Sequence, residues 1–372
     1  MKEMLNTIFK NIKNIPGKKS QRKIVVFSVD DYGSVRVKNR ESYQLLKTAG
    51  IPMDNGRFSR YDTLADQEDL VLLFEILNSV KDSQNRSACF TAFANVANPD
   101  FEEIKASGLI TYYREPFTKT LERYGDNYKN VLDIWKQGIA ENIFYPAYHG
   151  TEHINVKRFM EALQTGHKSV CIAFENESVC VPAFPDEKAI QQATTTFYIE
   201  SAEENEPLKK DIVIGTQMFE DIFGFRSKSF TPGAGVYSPL LNKTLTENGI
   251  KYIHVNRYQA YPLGDGKFSK KFLYNGKQNE FGQKYIVRNC LFEPDGKDNL
   301  SSAYRCLDDI EAAFRWGAPA IISSHRVNFV GHFDTEYRDN SLKQLKILLN
   351  EIVKRWPEVE FMNADEMADA VL

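Results

Sequence analysis

The sequence predicts an α/β barrel, because short apolar strands alternate with helical patterns through most of its 372 residues. The clearest strand is the run IVVFSV at 24–29, which is typical of a parallel strand buried on both faces. The clearest helices are 70–80 and 341–356, where apolar residues recur every three or four positions. Seven or eight such units favour parallel strands joined by crossover helices and closed into a barrel.

Other short apolar runs complete the predicted set of strands: 88–93, 142–148, 169–174, 229–231, 251–255, 284–291, 319–323 and 358–362. We expect an N-terminal segment over 1–22 and one barrel domain over 23–372. Two irregular stretches within that domain, 175–210 and 258–283, are expected to be long loops. Loops of this kind often build substrate sites at the carboxyl ends of barrel strands.

Composition limits the class of protein. Hydrophobic residues make up 42% and charged residues 26%, which fits a soluble chain with a buried core. The net charge of −3 gives no basic excess, so neither nucleic acid nor a membrane surface is expected as a partner. The sequence does not indicate an oligomeric state.

The cysteines and the first residues favour a cytoplasmic location. The five cysteines form no CxxC pair, which favours reduced thiols. The first 19 residues lack the apolar stretch of a signal peptide, and no run approaches the roughly 20 apolar residues of a membrane span. The first residues suit a short amphipathic helix with one apolar side: Met4, Leu5, Ile8 and Ile12.

The segment SVDDYGS places Asp30 and Asp31 directly after the first buried strand. Adjacent residues at a strand end point in different directions, so one carboxylate can bind a metal while the other faces a substrate. A pair of carboxylates is also typical of a solvated strand end or a helix N-cap. The pair therefore indicates a site only in combination with other residues.

The segment HGTEH follows another apolar run and contains two of the six histidines, His149 and His153. Histidines four residues apart on a helical turn would lie on one face, and neutral imidazole is a common zinc ligand. A capping histidine beside a core histidine remains the alternative. This pair is the strongest local indication of a metal site.

Two further segments are candidates for the same site. His325 ends the apolar run IISSH, where a histidine is either structural or, at the rim of a barrel, catalytic. The segment SFTPGAGVYS at 229–238 is a turn whose backbone N–H groups would be able to bind a developing oxyanion. Taken alone, it is a turn between a strand and a helix.

The four segments SVDD, HGTEH, FTPGAG and IISSH, in this order, resemble the motifs of the NodB-homology polysaccharide deacetylases, carbohydrate esterase family 4. The segments 215–235 and 358–372 are also similar to that family, so the matched parts extend discontinuously over 23–372. The resemblance implies a distorted (β/α)7-type, TIM-like barrel. It also implies a hydrolase that removes N-acetyl groups from a carbohydrate.

The resemblance assigns roles to individual residues. It implies Asp31, His149 and His153 as the ligands of one divalent cation, expected to be Zn²⁺. Asp30 would be the general base and His325 the general acid. Backbone N–H groups near Gly233 and Ala234 would form part of the oxyanion site.

The sequence departs from the family pattern in two places. Thr231 stands where the third motif normally supplies an arginine that orients the base, and Arg36, Arg257 or Arg326 are the candidates to replace it. The Asp-x-x-Asp-Trp-like fourth motif is also missing after 252–255. Both departures permit a different leaving group or substrate, whereas the three metal ligands are unaffected.

The predicted function is deacetylation of an N-acetylated sugar in a polysaccharide or glycan precursor. The same site acting on another amide or a glycosidic bond, or a barrel that binds carbohydrate without catalysis, are alternatives. HGTEH also satisfies H-x-x-E-H, the inverzincin peptidase pattern, in which Glu152 would be the base. That pattern needs a long helix, which the nearby Pro146 and Gly150 disfavour.

Overall fold

The computed structural model describes residues 10–294, 296 and 300–372. Its strands are β1 (Ile24–Tyr32), β2 (Phe90–Ala94), β3 (Ala97–Pro99), β4 (Arg114–Pro116), β5 (Phe144–Tyr148), β6 (Ser229–Phe230), β7 (Tyr252–Val255), β8 (Tyr258–Gly264), β9 (Lys267–Phe272), β10 (Lys284–Val287), β11 (Cys290–Leu291), β12 (Ala320–His325) and β13 (Glu360–Phe361).

The helices are α1 (Arg40–Thr48), α2 (Arg57–Tyr61), α3 (Gln67–Asn78), α4 (Phe101–Ala106), α5 (Phe117–Arg123), α6 (Val131–Ala140), α7 (Val156–Gln164), α8 (Lys168–Glu175), α9 (Asn205–Phe223), α10 (Asn242–Glu247), α11 (Ser301–Arg315), α12 (Thr335–Arg355) and α13 (Ala364–Val371). Short 3₁₀ turns lie at Met53–Asn55, Asp126–Tyr128, Ala202–Glu204, Gly233–Gly235, Pro239–Leu241 and Arg326–Phe329.

The main sheet is parallel and curls into a distorted, partly open barrel with the strand order β10-β7-β6-β5-β2-β1-β12-β11. The short strand β13 pairs with the start of β1. Two antiparallel pairs, β3 with β4 and β8 with β9, lie outside this sheet. The prediction of an α/β, distorted TIM-like barrel is confirmed.

The central strand β1 is buried along its whole length, as its unbroken apolar run predicts. Its residue Phe27 stacks on Phe90 of β2, and the large core around them includes Leu345 and Leu349 of α12. Because the parallel strands on both sides of β1 begin at the same end, their carboxyl ends lie together at one rim. The polar motifs of the sequence follow these carboxyl ends.

One predicted strand is wrong: residues 169–174 belong to the helix α8. A short apolar run does not distinguish a strand from a buried helix. Here the carboxylate of Glu187 accepts hydrogen bonds from the backbone N–H groups of Lys168 and Ser169, which caps the first turn of the helix. That cap comes from 18 or more residues further along the chain, so the local pattern does not reveal it.

The remaining expectations differ in detail. Residues 258–283, expected to be a loop, contain the β8–β9 hairpin, and the helix α9 begins inside the stretch 175–210. Of the apolar residues assigned to an N-terminal helix, Met4, Leu5 and Ile8 lie outside the described residues, and Ile12 is exposed. Within 10–294 and 300–372, no helix combines the length and apolarity needed to cross a bilayer.

Candidate metal and acid–base site

The rim at the carboxyl ends of the strands brings the four sequence motifs together. Asp30 of β1 lies directly beside His325 in the parallel ladder between β1 and β12. His149 follows β5, which is two strands from β1, and Thr231 follows β6, the next strand along. Residues that are up to 295 positions apart in the sequence therefore surround one small volume.

Asp31 has a backbone conformation that few residues other than glycine adopt, with φ 76°. The pairing of β1 with β2 shifts in register between Val29 and Tyr32, which allows Asp30 and Asp31 to point to different sides. Ser34 stabilises the bend by donating a hydrogen bond of 2.8 Å from its hydroxyl to the Asp31 carbonyl. A positive φ at a non-glycine residue costs about 1–3 kcal/mol and is characteristic of functional sites.

His149 and His153 lie in a loop after β5 and not on a helical turn, so the expected helical pairing is wrong. Gly150 between them has φ 100°, which interrupts any helix. Asn95 fixes the loop by donating from Nδ2 to the carbonyl oxygens of His149 and Gly150, at 3.1 and 3.3 Å. The two imidazoles converge because the loop folds back over the strand ends.

The three predicted metal ligands do converge. The Nε2 atoms of His149 and His153 lie 3.3 and 3.0 Å from the same Asp31 oxygen, Oδ1, and all three side chains are buried. The Nδ1 atom of His149 is 2.8 Å from the Thr231 carbonyl, which requires a proton on Nδ1 and leaves a lone pair on Nε2 of the neutral ring. Burial lowers the pKa of His153, which favours a neutral imidazole at that position.

These residues fit a divalent cation. Three candidate ligand atoms, one from each residue, lie within 4.8 Å of one another. With its Nδ1 proton on the Thr231 carbonyl, a neutral His149 presents the Nε2 lone pair to the Asp31 carboxylate, and the two repel unless a positive charge lies between them. One carboxylate and two imidazoles with a remaining open side are typical of catalytic zinc sites. The hydrogen bond from His149 to Thr231 is the outer contact that orients such a ligand.

Asp30, the neighbour of Asp31 in the sequence, forms a two-pronged ion pair with Arg288. Both terminal guanidinium nitrogens donate to the carboxylate, each at 2.6 Å. Burial raises the pKa of Asp30, but the charge and hydrogen bonds of Arg288 outweigh that effect and hold it below its usual range. The carboxylate is therefore ionised and able to accept a proton.

Arg288 occupies the place expected for Arg36, Arg257 or Arg326. Arg36 and Arg326 both contact the fully buried Asp62 instead, at 3.7 and 2.9 Å. Arg257 lies near the same rim, but no contact with Asp30 is present among the described residues. Arg288 directly follows β10 and lies within the predicted strand 284–291, where the local sequence does not distinguish it as the partner of Asp30.

His325 forms the second charged pair of the site. Its Nδ1 lies 2.5 Å from Glu293 Oε1, and Glu293 also contacts Arg57 at 2.5 Å. Burial lowers the pKa of His325, but the hydrogen bond to Glu293 and the nearby carboxylates outweigh it and raise the pKa to about 9. His325 is therefore protonated near neutral pH. Glu293 has no distinctive sequence pattern and is not identified from the sequence.

Gly233 and Ala234 lie in the 3₁₀ turn beside the metal cluster. A Cβ atom on Gly233 would lie 3.6 Å from His153 Nε2 and 3.1 Å from the Thr196 hydroxyl, so the backbone closely approaches the ligands. Ala234 lines an open cavity of about 400 Å³, together with Asp30, Arg288 and His325. We call this the Asp30 cavity; its remaining lining residues are Lys13, Thr231, Pro232, Gly235, His254, Val255, Asn256, Arg257, Asn289, Cys290, Leu291, Asp309 and Ser323.

Glu152, the base in the peptidase pattern, faces away from the cluster. Its carboxylate pairs with Arg114 at 2.7 Å, and Arg114 also pairs with Asp211. Burial and the neighbouring Asp211 raise the pKa of Glu152 to about 8. Glu152, Arg114 and Asp211 therefore form a polar cluster that holds the HGTEH loop in place.

Comparison with known proteins gives a fold but no family. No family model matches the sequence, and no curated protein matches it. Among solved structures, a candidate glycoside hydrolase/deacetylase from Parabacteroides distasonis superposes with a TM-score of 0.50 at 10% identity, covering 95% of this chain and 72% of that one. A candidate polysaccharide deacetylase from Pseudomonas aeruginosa gives a TM-score of 0.48 at 11% identity, covering 94% and 91%. The first of these two superpositions shows that the chain shares the fold of the Parabacteroides protein.

Proposed function

We propose that this protein is a metal-dependent hydrolase that removes an N-acetyl group from an amino sugar. The observation that carries the proposal is the convergence of Asp31, His149 and His153 on one point, beside two separately paired side chains, Asp30 and His325. The cluster suits a cation, and the two pairs suit a base and an acid. The carbohydrate substrate is proposed from the fold and from the sequence motifs.

Asp31, His149 and His153 would hold the ion. A divalent cation bound there, for which Zn²⁺ is the best match to the ligands, would supply Lewis-acid polarisation of the acyl group and acidify a water molecule. Asp30 and His325 beside it would accept and donate the protons of the reaction. Thr231 orients His149 through its carbonyl group.

Asp30 is proposed as the general base. Its carboxylate is ionised and lines the Asp30 cavity, so it can take the proton of the attacking water. Arg288 fixes the orientation of the carboxylate through two hydrogen bonds. Gly233 and Ala234 are proposed to donate backbone N–H groups to the oxyanion of the tetrahedral intermediate.

His325 is proposed as the general acid. Because Glu293 contacts Nδ1, the Nε2–H of the protonated ring remains available to the leaving nitrogen. An amine is a poor leaving group unless it is protonated, so a cationic His325 suits cleavage of an amide bond. After proton transfer, the neutral ring keeps its hydrogen bond to Glu293.

The geometry counts against two of the alternatives, the peptidase and the barrel that only binds carbohydrate. In a peptidase of the H-x-x-E-H type, Glu152 would face the metal, whereas here it faces Arg114. A barrel that only binds carbohydrate would not need a carboxylate and an imidazolium side by side, each with its own charged partner. Both pairs therefore favour catalysis.

The test combines metal analysis with a screen for acetate release. The purified full chain, loaded with Zn²⁺, is incubated with N-acetylhexosamines, their phosphates and short oligosaccharides, and free acetate is measured. We expect about one ion per chain and release from at least one substrate. His149→Ala and His153→Ala should lose both the ion and the activity, whereas Asp30→Asn should keep the ion and lose about 10²–10⁴-fold in rate.

His332 provides a matched control, since it is a partly exposed histidine outside the cluster. His332→Ala should retain both metal and activity. Full metal content in His149→Ala and His153→Ala would contradict the assignment of ligands. Unchanged acetate release by Asp30→Asn would contradict the proposed base.

A further inference from the structure

The strongest unexplained feature of the Asp30 cavity is Arg257, which follows β7 and is partly buried. Its Nη1 atom is fully buried, yet has no hydrogen-bond partner in the described part of the chain. Burial lowers the pKa of this guanidinium because no carboxylate compensates for the lost water. The protein alone thus gives this buried cation neither a counter-charge nor an acceptor for Nη1, which costs free energy.

The other cations that line the cavity are neutralised. Arg288 is paired with Asp30 at 2.6 Å, and Lys13 with Asp309 at 3.2 Å. Among the described lining residues, Arg257 is therefore the arginine or lysine without an acidic partner. The proposed chemistry assigns no role to it, since Arg288 already orients the base.

His254, in β7, is a second unpartnered group at the same wall. It is 1% exposed, lines the cavity, and neither ring nitrogen has a hydrogen-bond partner. Its ring packs edge-on against Phe93, with centroids 4.6 Å apart. Burial and the nearby Arg288 lower its pKa well below the usual range, so the ring is neutral and can donate one N–H. Buried polar groups in proteins are rarely left without a partner.

The turn that carries Arg257 is fixed relative to the proposed oxyanion turn. Gln259 accepts a hydrogen bond from the backbone N–H of Asn256 and donates another to the carbonyl of Gly235, at 3.0 and 2.8 Å. A Cβ atom on Gly235 would lie 2.5 Å from the Asn256 side chain, so the two turns are in close contact. Arg257 is thus held at a set position beside the reaction centre.

We infer that the substrate is an acetylated sugar that carries an anionic group, a carboxylate or a phosphate, and that Arg257 binds this group with help from His254. The inference rests on the proposed deacetylation for the acetylated sugar. The planar guanidinium matches both anions, because each presents two oxygens to its paired donors. A neutral sugar would leave the buried Nη1 without an acceptor of comparable strength.

The experiment measures binding without turnover. Wild-type protein loaded with Zn²⁺ is titrated calorimetrically with glucose, glucuronate and glucose 1-phosphate, none of which has an acetyl group to lose. We expect at least one of the two anions to bind about 10- to 100-fold more tightly than glucose, the range of a charge-assisted hydrogen bond. Preference for glucuronate would indicate a uronic acid, and preference for glucose 1-phosphate a sugar phosphate.

Three variants separate Arg257 from general charge effects. Arg257→Ala should abolish the preference for the anion, and Arg257→Lys should retain part of it. Lys271→Ala removes the same charge from the exposed strand β9 and should change nothing. Attraction between the anion and the bound cation is common to all variants. The difference in anion affinity between wild type and Arg257→Ala therefore measures the contribution of Arg257 alone. Thermal unfolding confirms that each variant is folded.

The inference is overturned if Arg257→Ala keeps the preference, if Lys271→Ala loses it equally, or if wild type binds all three sugars alike. The calorimetric titrations do not depend on hydrolysis, so they test the role of Arg257 even if no acetate is released from any substrate. Conversely, equal deacetylation of an anionic N-acetylated sugar by wild type and Arg257→Ala would support the proposed function and reject the contact between Arg257 and the anionic group.

Discussion

Arg288 binds both oxygens of the Asp30 carboxylate, each at 2.6 Å, across 258 positions of sequence. This pair holds the proposed base ionised and fixes its direction. Arg288→Ala should lower kcat/KM by about 10²-fold or more, since the base would lose its orientation, while the metal content stays the same. Arg288→Lys should be nearly as impaired, because lysine cannot form the two-pronged contact.

The control for Arg288 is Arg226→Ala, which removes a largely exposed arginine that pairs with Glu220. Steady-state kinetics and zinc analysis of the three variants test the prediction. If Arg288→Lys retained wild-type activity, the two-pronged contact would not be needed to orient Asp30. Only the positive charge at position 288 would then matter.

Much of this site could be predicted from the sequence, because its parts follow recognisable strands. Asp31, His149 and His153 each follow an apolar run, and their motifs occur in the expected order. Parallel strands end at the same rim, so residues after them meet. The metal cluster could therefore be predicted from local sequence patterns together with the common rim at which the parallel strands of a barrel end.

The partners of the acid and the base could not be predicted in the same way. Arg288 contacts Asp30, and Glu293 contacts His325, because the order of strands in the sheet brings these distant segments together. Local sequence does not encode that order. The sequence does not distinguish Arg36 or Arg326 from Arg288, because the buried Asp62 that contacts both of them is distant from each in the sequence. Likewise, α8 depends on a cap from Glu187 and not on its own apolar run.

Glu293 controls the pH range in which His325 is protonated. In the wild type, the pKa of about 9 means that activity should fall only as the pH rises through that value. In Glu293→Gln, burial continues to lower the pKa while the main opposing hydrogen bond to a carboxylate is lost. The alkaline limb of kcat/KM should therefore move down by more than one pH unit.

Asn328 offers a matched control, because its side chain donates to Glu293 at 2.8 Å without contacting His325. Asn328→Ala should move the alkaline limb much less than Glu293→Gln. A pH profile that is identical in Glu293→Gln and wild type would exclude His325 as the acid.

Glu152 distinguishes the hydrolase proposed here from a peptidase. Its contact with Arg114 at 2.7 Å is structural, so Glu152→Gln should retain kcat within about tenfold. Burial favours the neutral acid, and glutamine keeps an oxygen that can accept from Arg114, so the free energy of unfolding should change by no more than about 1 kcal/mol. Acetate release and urea denaturation of Glu152→Gln, beside Asp30→Asn, measure the two effects. A 10³-fold loss of kcat with normal stability would instead favour the peptidase assignment.

Removal of the metal should destabilise the folded chain. An ion present at 100 times its Kd adds about 2.7 kcal/mol to the free energy of unfolding, since the unfolded chain lacks the assembled site. Chelation should therefore lower the Tm of wild type, and added Zn²⁺ should restore it. His153→Ala should show no such difference. A Tm that chelation lowers equally in His153→Ala would place the stabilising ion elsewhere.

Gly215 tests the packing behind the metal loop. It lies inside the helix α9, where alanine would normally stabilise by up to about 1 kcal/mol. Here a Cβ atom would lie 2.2 Å from the Tyr148 hydroxyl and 2.3 Å from the Thr151 hydroxyl, and both side chains are buried. Overpacking of this kind costs about 1–3 kcal/mol, so Gly215→Ala should lower the free energy of unfolding despite the better helix former.

Thr151 belongs to the HGTEH loop, so the displaced side chains should also weaken zinc binding in Gly215→Ala. Val213→Ala, at a half-exposed position of the same helix, is the control and should leave zinc affinity unchanged. Urea denaturation and zinc titration of both variants measure the effects. A stabilised Gly215→Ala with normal zinc affinity would show that helix propensity outweighs packing at this position.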